Sequence, residues 1–497
     1  MFCLADMKKY IGIDLGTSSV KMLLVDADGT INKSVTREYP IFYPQSGWSE
    51  QNPIDWFNAT IDGLKELLCD VDKSLVAGIS FGGQMHGLVI LDENDEVIRP
   101  AILWNDGRTQ KETDYLNQEI GKDVLSECTA NIAFAGFTAP KILWVRANEP
   151  ENFKRIKKIM LPKDYLAYKL SGAFATDYSD ASGMLLLDVK NRKWSKKMCD
   201  ICSVNEEMLP KLFESYEQIG TLIPSVADEL GLSGTVSVSI GAGDNAAAAI
   251  GTDTVGNGDC NISLGTSGTV FISQNSFSVD KNNSLHSFCH SSGAYHLMGC
   301  ILSAASCNKW WVEDILGTDD FANEEKDLDN LLGENKIYFL PYLMGERSPH
   351  NDVDAKGAFI GMRPDTARGH MVLAVLEGVA FALRDCVEIA KSSGVKIDAS
   401  KICGGGAKSK IWRKVVANVL GIPVSRPQIE EGPAYGAAIL AMVGCGEYKS
   451  VYEATEKLIK IKDTVYPNTE LAEKYNKSYS VFKSIYPALK EIYKKIH

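Results

Sequence analysis

The 497-residue chain lacks a basic surplus: 52 Lys and Arg stand against 64 Asp and Glu, a formal net charge of −12 with a pI near 5.3. That shortfall argues against a nucleic-acid partner, because holding a phosphate backbone needs clustered cations. Long apolar runs are missing too. None approaches the roughly 18 residues of a membrane-spanning helix. The opening stretch MFCLADMKKY has no basic segment followed by a sustained apolar one, so no secretory signal is expected. Residues 1–6 look like a ragged extension, and Met7 could serve as a start of its own. Patterned cysteine is the third absence. The 12 cysteines are scattered, mostly inside apolar segments, as expected for reduced buried thiols in a cytoplasm. Cys199 and Cys202 form one CxxC with no second pair at zinc-ribbon spacing, so no metal or redox site is assigned there. His286, Cys289 and His290 lack a further ligand and read as core or surface side chains. A hydrophobic content of 45% is enough to build two or three domains.

What is present is organised around residues 236–251, VSVSIGAGDNAAAAIG. The letters describe a buried strand, a glycine turn at Gly241 and Gly243, and an alanine-rich helix opened by Asp244 and Asn245. A carboxylate at the end of a strand and the start of a helix occupies the place where α/β proteins put their chemistry. Asp is also a favoured helix cap, which is the structural alternative for Asp244. Its position near mid-chain, between two halves carrying the same turn, favours chemistry.

The first of those turns lies in residues 8–26, KKYIGIDLGTSSVKMLLVD, a strand, a tight turn and a strand, followed by a third strand over about 31–39. Gly16 frees the backbone, while Thr17, Ser18 and Ser19 offer hydroxyl and amide donors without bulk, the requirements of a phosphate cradle. A plain hairpin with a polar tip would read the same. In residues 258–274, GDCNISLGTSGTVFISQ, the letters Leu264-Gly265-Thr266-Ser267 repeat Leu15-Gly16-Thr17-Ser18 between two apolar strands. Two such hairpins facing one cleft could grip a polyphosphate from both sides. They are not equivalent, since Asp14 and Lys21 of the first become Ser263 and Val270 in the second. Asp14 is therefore the natural carboxylate for a magnesium ion.

Between the hairpins several loops mix aromatic faces with polar groups, the combination that binds a polyol or sugar. They are Trp48-Ser49-Glu50-Gln51 ahead of a helix from about Pro53, Gly82-Gly83-Gln84-Met85-His86-Gly87 after a strand over 77–81, and Trp104-Asn105-Asp106-Gly107-Arg108. Taken singly, each could be structural. A third glycine turn, Gly404-Gly405-Gly406-Ala407, follows a strand over 401–403 and opens a helix over 408–420, where backbone can approach a ring or ribose. Residues 366–389 read as a long buried helix, with Met371, Val375, Val379 and Leu383 at four-residue spacing. The stretch from Gly432 opens another close-packed helix, and the lysine-rich segment after it reads as a polar tail.

The series IGIDLGTSSVK, GAGDNAAAAIG, SLGTSGTV and CGGGAKS, in that order, resembles the FGGY carbohydrate kinases of the actin and hexokinase-like superfamily. Residues 136–148 and 357–377 resemble the two signatures of that family, with Ala147 where a polar residue is usual and Gln84 where the family's Tyr would stand. The resemblance runs from Lys8 to about Tyr486. It implies an α/β fold of two ribonuclease-H-like domains, 8–252 and 253–487, with ATP and sugar in a cleft between them that closes on binding. The stretches WSEQ, GQMHG, RPAILWNDGR, GFTAPK, LPKDYL and SAASC resemble members acting on D-xylulose, which implies its ATP-dependent phosphorylation. By the same resemblance Asp244 is the general base, Met85 and His86 contact the ketose, and Trp104, Asp106 and Asn245 are further sugar contacts. Asp14 holds magnesium. Gly16, Thr17, Ser18, Lys21, Gly265, Thr266 and Ser267 serve the phosphates, and Gly404, Gly405, Gly406 and Ala407 border the adenosine. A homodimer is common in this group. The rivals are a relative acting on another sugar or polyol, such as ribulose, glycerol or gluconate, and an actin-like ATPase that phosphorylates no small acceptor.

Overall fold

The computed structural model describes residues 7–496, so the expectation for residues 1–6 lies outside the described residues. Its first lobe grows from the hairpin β1 (Lys9–Leu15) and β2 (Ser19–Asp26), whose register sets Asp14 opposite Lys21. Both strands are almost continuously apolar because helices cover both faces of the sheet. The half-exposed strand β3 (Ile31–Glu38) forms the edge. Helix α1 (Pro53–Leu67) starts with proline, whose missing N–H costs nothing in a first turn, and buries Trp56, Ile61 and Leu64. Strand β4 (Val76–Gly83) returns parallel to β1. After a long insertion come β5 (Gln218–Thr221), β6 (Ser237–Ser239) and the short β7 (Ala242–Gly243), which runs directly into α2 (Asp244–Gly251). The sheet order is β5-β6-β4-β1-β2-β3, with β7 also paired to β4.

The second lobe repeats this plan. Its hairpin is β8 (Cys260–Leu264) and β9 (Gly268–Gln274), followed by β10 (His286–Cys289) and β11 (Tyr295–Ile301). The long helix α3 (Arg368–Ser392) crosses beneath. Then come β12 (Ser400–Cys403), α4 (Lys410–Leu420), β13 (Val424–Pro427), α5 (Gly432–Gly444), β14 (Ile461–Val465) and α6 (Thr469–Tyr493). Apart from its extra strand β10, the order β10-β11-β9-β8-β12-β13-β14 matches the first sheet in strand sense, although the antiparallel edge follows its neighbour in the chain here and precedes it there. In both, an antiparallel hairpin gains an antiparallel strand on one side. On the other side it gains two parallel strands and then an antiparallel edge.

Helix α5 ties the lobes together. Although it comes from the second half, it packs against β1 and α2: a methyl on Gly12 would lie 1.9 Å from the Ala434 carbonyl oxygen, and one on Gly436 1.8 Å from that of Ala247. Only glycine lets the backbones meet so closely.

Two expectations need correction. The lysine-rich segment after α5 is no tail, because it supplies β14 and the 25-residue α6. Tyr475, Tyr479, Phe482, Ile485 and Tyr486 are buried along α6 against the second core, a stripe that intervening lysines mask in the sequence. The Tyr475 and Tyr479 hydroxyls donate to Glu377 (2.8 Å) and Asp385 (2.5 Å) of α3. The helix expected from Lys408 begins at Lys410, since Gly405–Lys408 wind into a tighter turn and Ser409 caps α4 through the Trp412 amide (3.0 Å).

Candidate active site

The first turn owes its shape to where its carbonyls go. Leu15 O accepts from the Gln84 amide (2.8 Å), Gly16 O from the Tyr39 hydroxyl, Thr17 O from Gln51 Nε2 (2.7 Å) and Ser18 O from the Tyr39 amide (3.3 Å). The Gly16 amide is spent on Ser19 O (3.0 Å), whereas the Thr17 and Ser18 amides have no acceptor among the described residues and Ser18 is exposed, an arrangement suited to an anion. Trp104 Nε1 donates to Thr17 Oγ1 at 2.9 Å, so the hydroxyl proton of Thr17 points elsewhere. Lys21 spends its charge on Glu431 at the start of α5 (2.5 Å), linking this hairpin to the second half.

The sheet register brings two carboxylates together. Asp14 of β1 and Ala242 of β7 both lie beside Gly82 of β4, and Asp244 follows two residues later as the first residue of α2. Asp244 is half-buried, and Asn245 donates to its Oδ1 through the backbone amide (2.6 Å) and Nδ2 (2.9 Å). Among the described residues no donor reaches Oδ2. Burial pushes Asp244 up to about 6, the Asn245 bonds opposing it. Burial, and then the charge of Asp244, push Asp14 up to about 7; Lys21 pulls the other way. Two carboxylates raised together in this way form a site that gains from a cation or a proton.

On the sugar side, Met85 is 5% exposed and packs on the residue before Asp244, where a methyl on Gly243 would lie 2.9 Å from its Cγ. His86 has a left-handed backbone (φ 68°) and stacks on Phe137 with 4.6 Å between ring centroids. Its Nδ1 lies 2.9 Å from the Gly183 carbonyl, an acceptor only, so Nδ1 carries the hydrogen and Nε2 is left as an acceptor. Burial, and then the Lys141 charge, lower its pKa to about 3, so the ring is neutral. The His86 carbonyl is clamped by Lys141 Nζ (2.8 Å) and Thr138 Oγ1 (3.1 Å), two residues that the sequence offered only as part of a motif.

Asp106 is a correction among the expected sugar contacts. It is 1% exposed, and both oxygens are taken: Oδ2 by the Ser49 amide (2.5 Å) and Arg108 (2.7 Å), Oδ1 by the Arg108 amide (2.9 Å) and Nε (2.8 Å). With Arg108 lying over Trp48 (3.7 Å to the ring centroid), it builds the loop that carries Trp104. Trp104 itself is 41% exposed.

In the second lobe the repeated turn is tied by different partners. Gly265 O accepts from the Ala305 amide (2.8 Å), and Thr266 O from the Ala304 amide (2.9 Å) and Ser306 Oγ (2.7 Å). Gly265 and Thr266 border a cavity of about 1030 Å³, with Ser306, Phe321, Gly405 and Gly406 among its walls. That volume suits a nucleoside. Gly404 (φ 89°) must be glycine, since a methyl there would lie 2.7 Å from the Leu264 backbone, whereas Gly405 faces open space. Gly404 and Ala407 border a smaller neighbouring pocket, and Ser267 is half-buried at the turn. Ser306 is marked in the sequence only as part of the SAASC stretch, and Phe321 was not foreseen, as nothing in its local sequence marks a binding wall. Cys199 and Cys202 are buried thiols, pushed up by burial to about 11 and about 12. Among the described residues no group of three or more His, Cys, Asp or Glu could hold a metal by itself.

Residues 9–251 match the N-terminal domain of the FGGY family of carbohydrate kinases, and residues 260–445 match the C-terminal domain. The chain is 38% identical to the xylulose kinase of Escherichia coli K12 over 490 residues, covering 97% of this chain and 99% of the relative. It is 36% identical to the xylulose kinase of Bacillus subtilis 168, covering 98% of each. Among solved structures, a xyloylose kinase from Brucella ovis is 37% identical with a TM-score of 0.93, covering 97% of this chain and 100% of that one. A gluconate kinase from Lactobacillus acidophilus is 26% identical with a TM-score of 0.94, covering 99% and 100%.

Proposed function

We propose that this chain, which belongs to the FGGY family of carbohydrate kinases, transfers the γ-phosphoryl group of ATP to D-xylulose, giving ADP and D-xylulose 5-phosphate. The observation that carries the reading is the pair of Asp14, beside Gly82, and Asp244, two residues past Ala242 on the other side of Gly82. The near full-length relatives named xylulose kinase support the choice of sugar. A fold match alone does not, because a gluconate kinase has the same architecture.

Phosphoryl transfer asks mainly for alignment and charge neutralisation. Asp244 Oδ2 accepts the proton of the terminal sugar hydroxyl and so aims the sugar's hydroxyl oxygen at the γ-phosphorus, from which ADP departs, while Asn245 holds Oδ1. His86 Nε2 accepts from a sugar hydroxyl, and Met85 supplies an apolar wall. The N–H edges of the two Gly-Thr-Ser turns receive the phosphates, and the adenosine lies in the cavity beside Gly405. The donor set fits magnesium, which is held by one or two carboxylates plus phosphates and water; Asp14 would hold it, and the ion would neutralise phosphate charge. Closure of the cleft keeps water from the transferring group.

The test is a coupled ADP-release assay over D-xylulose, D-ribulose, glycerol and gluconate. The reading expects D-xylulose to give the highest kcat/KM. Preference for gluconate or another polyol would overturn the substrate, and ATP hydrolysis unchanged by any sugar would overturn the transfer. Among the described residues no helix is long and apolar enough to cross a membrane. A cytoplasmic setting and a homodimer belong to the same proposal.

A further inference from the structure

Behind Asp244 lies a charged cluster with no access to solvent. Lys163 Nζ is 2.7 Å from Asp164, 3.0 Å from Asp177 and 3.8 Å from Asp180, and all four side chains are 0% exposed. Three carboxylates against one ammonium are expensive to bury, and an apolar cluster of the same volume would cost less. Both oxygens of Asp180 lack a hydrogen-bond partner. Burial drives its carboxyl well above the ordinary range; Lys163 opposes, while Asp164, Asp177 and Asp244 add to the rise. The charged form of Asp180 is thereby disfavoured.

The cluster sends one bond toward the active site. Asp177 Oδ2 accepts from the Ser179 amide (2.9 Å), Ser179 Oγ (2.5 Å) and Ser215 Oγ (2.7 Å). Since Ser179 Oγ gives its only proton to Asp177, it offers a lone pair to the Gly243 amide at 3.2 Å. Gly243 immediately precedes Asp244. On the other side, Lys163 packs on Gly83, where a methyl would lie 2.7 Å from its Cβ, and Gly83 is the register partner of Gly243. The backbone leading into Asp244 is thus gripped through the sheet and through Ser179.

We propose that Asp177, anchored by Lys163, acts through Ser179 as a positioning residue that fixes the Gly243–Asp244 backbone and so aims the Asp244 carboxylate. This rests on Asp244 being the base. A misaim of a fraction of an ångström leaves substrate binding intact and slows the chemical step, because near-attack geometry is what the base supplies.

The experiment measures kcat, both KM values and Tm for Ser179→Ala, Asp177→Asn and the double variant, with Asp244→Asn alongside. Ser179→Ala is expected to lower kcat about tenfold, with KM for ATP and D-xylulose within about twofold of wild type. In the double variant kcat should fall no further than in the worse single variant, since both act along one route. A folded Ser179→Ala protein with kcat within about twofold of wild type, a loss carried by KM, or a double loss equal to the product of the singles would overturn the proposal. Should Asp177→Asn fail to fold, Ser179→Ala alone decides. Turnover by Asp244→Asn would overturn the base assignment itself. A silent Ser179→Ala beside an inactive Asp244→Asn overturns only the positioning role.

Discussion

At the first turn, residues 15–18, Asp14 precedes the loop and faces Lys21 across the hairpin; at the second, residues 264–267, Ser263 precedes the loop and faces Thr269. The four identical letters close differently, since Leu15 pairs with Val20 but Leu264 with Gly268, one residue sooner; in both turns carbonyls accept from donors elsewhere in the protein. The surroundings then separate them. The first turn is strapped by Tyr39, Gln51 and Trp104 and stands beside two raised carboxylates. The second opens onto the large cavity. Under the proposed function, the comparison teaches that a duplicated hairpin would serve phosphates twice, whereas reactive charge would be needed once, near the transferred group.

The sharpest way to break this comparison is to exchange the flanking residues. Asp14→Asn should lower kcat by about 10² or more, whereas Ser263→Ala should change it by less than about threefold. Steady-state kinetics check both, and equal losses would make the turns equivalent. Next in size is acidity. The raised values of Asp244 (about 6) and Asp14 (about 7) belong to one interacting pair, and Asp244 must be ionised to accept a proton. The kcat/KM profile should therefore fall as pH drops below about 6–7, and activity held level to about pH 5 would contradict the pairing. A smaller effect concerns the strap on the first turn. Trp104→Phe removes the indole N–H from Thr17 and should cost about 3- to 10-fold in kcat, while Ser306→Ala at the second turn should act mainly on KM for ATP.

The smallest expected effect is on stability, and its sign is opposite. Asp14 has a folded value of about 7 against an ordinary 3.8, so the fold takes up a proton that the unfolded chain releases. Its ionised form burdens the fold above about pH 7, and the burden is gone below about pH 4. Asp14→Asn should raise Tm by a few degrees at pH 8 and leave it unchanged near pH 4, as thermal melts would record. No gain at pH 8 would mean that the site carries no such strain.

Legibility in the sequence followed locality. The hairpins, the strand-turn-helix at Asp244 and the long α3 were readable because their signals lie within a few neighbouring residues: a glycine turn between apolar strands, or a four-residue repeat. Asp106 misled because a polar residue in an aromatic loop looks the same whether it meets a ligand or, as here, Arg108 and Ser49. The Lys163, Asp177 and Ser179 route could not be seen, since its members meet Gly243 only after the insertion folds back on β4. Helix α6 was hidden by lysines on its solvent face, and Tyr475 and Tyr479 acquire meaning only against Glu377 and Asp385.

The central claim is that the Asp244 carboxylate takes the sugar's proton between the two turns. Its most direct test is the turnover of Asp244→Asn with D-xylulose and ATP, measured by ADP release beside calorimetric ATP binding. The account predicts a loss of about 10² or more in kcat with ATP affinity kept, and a folded variant retaining more than about a tenth of wild-type turnover would contradict it.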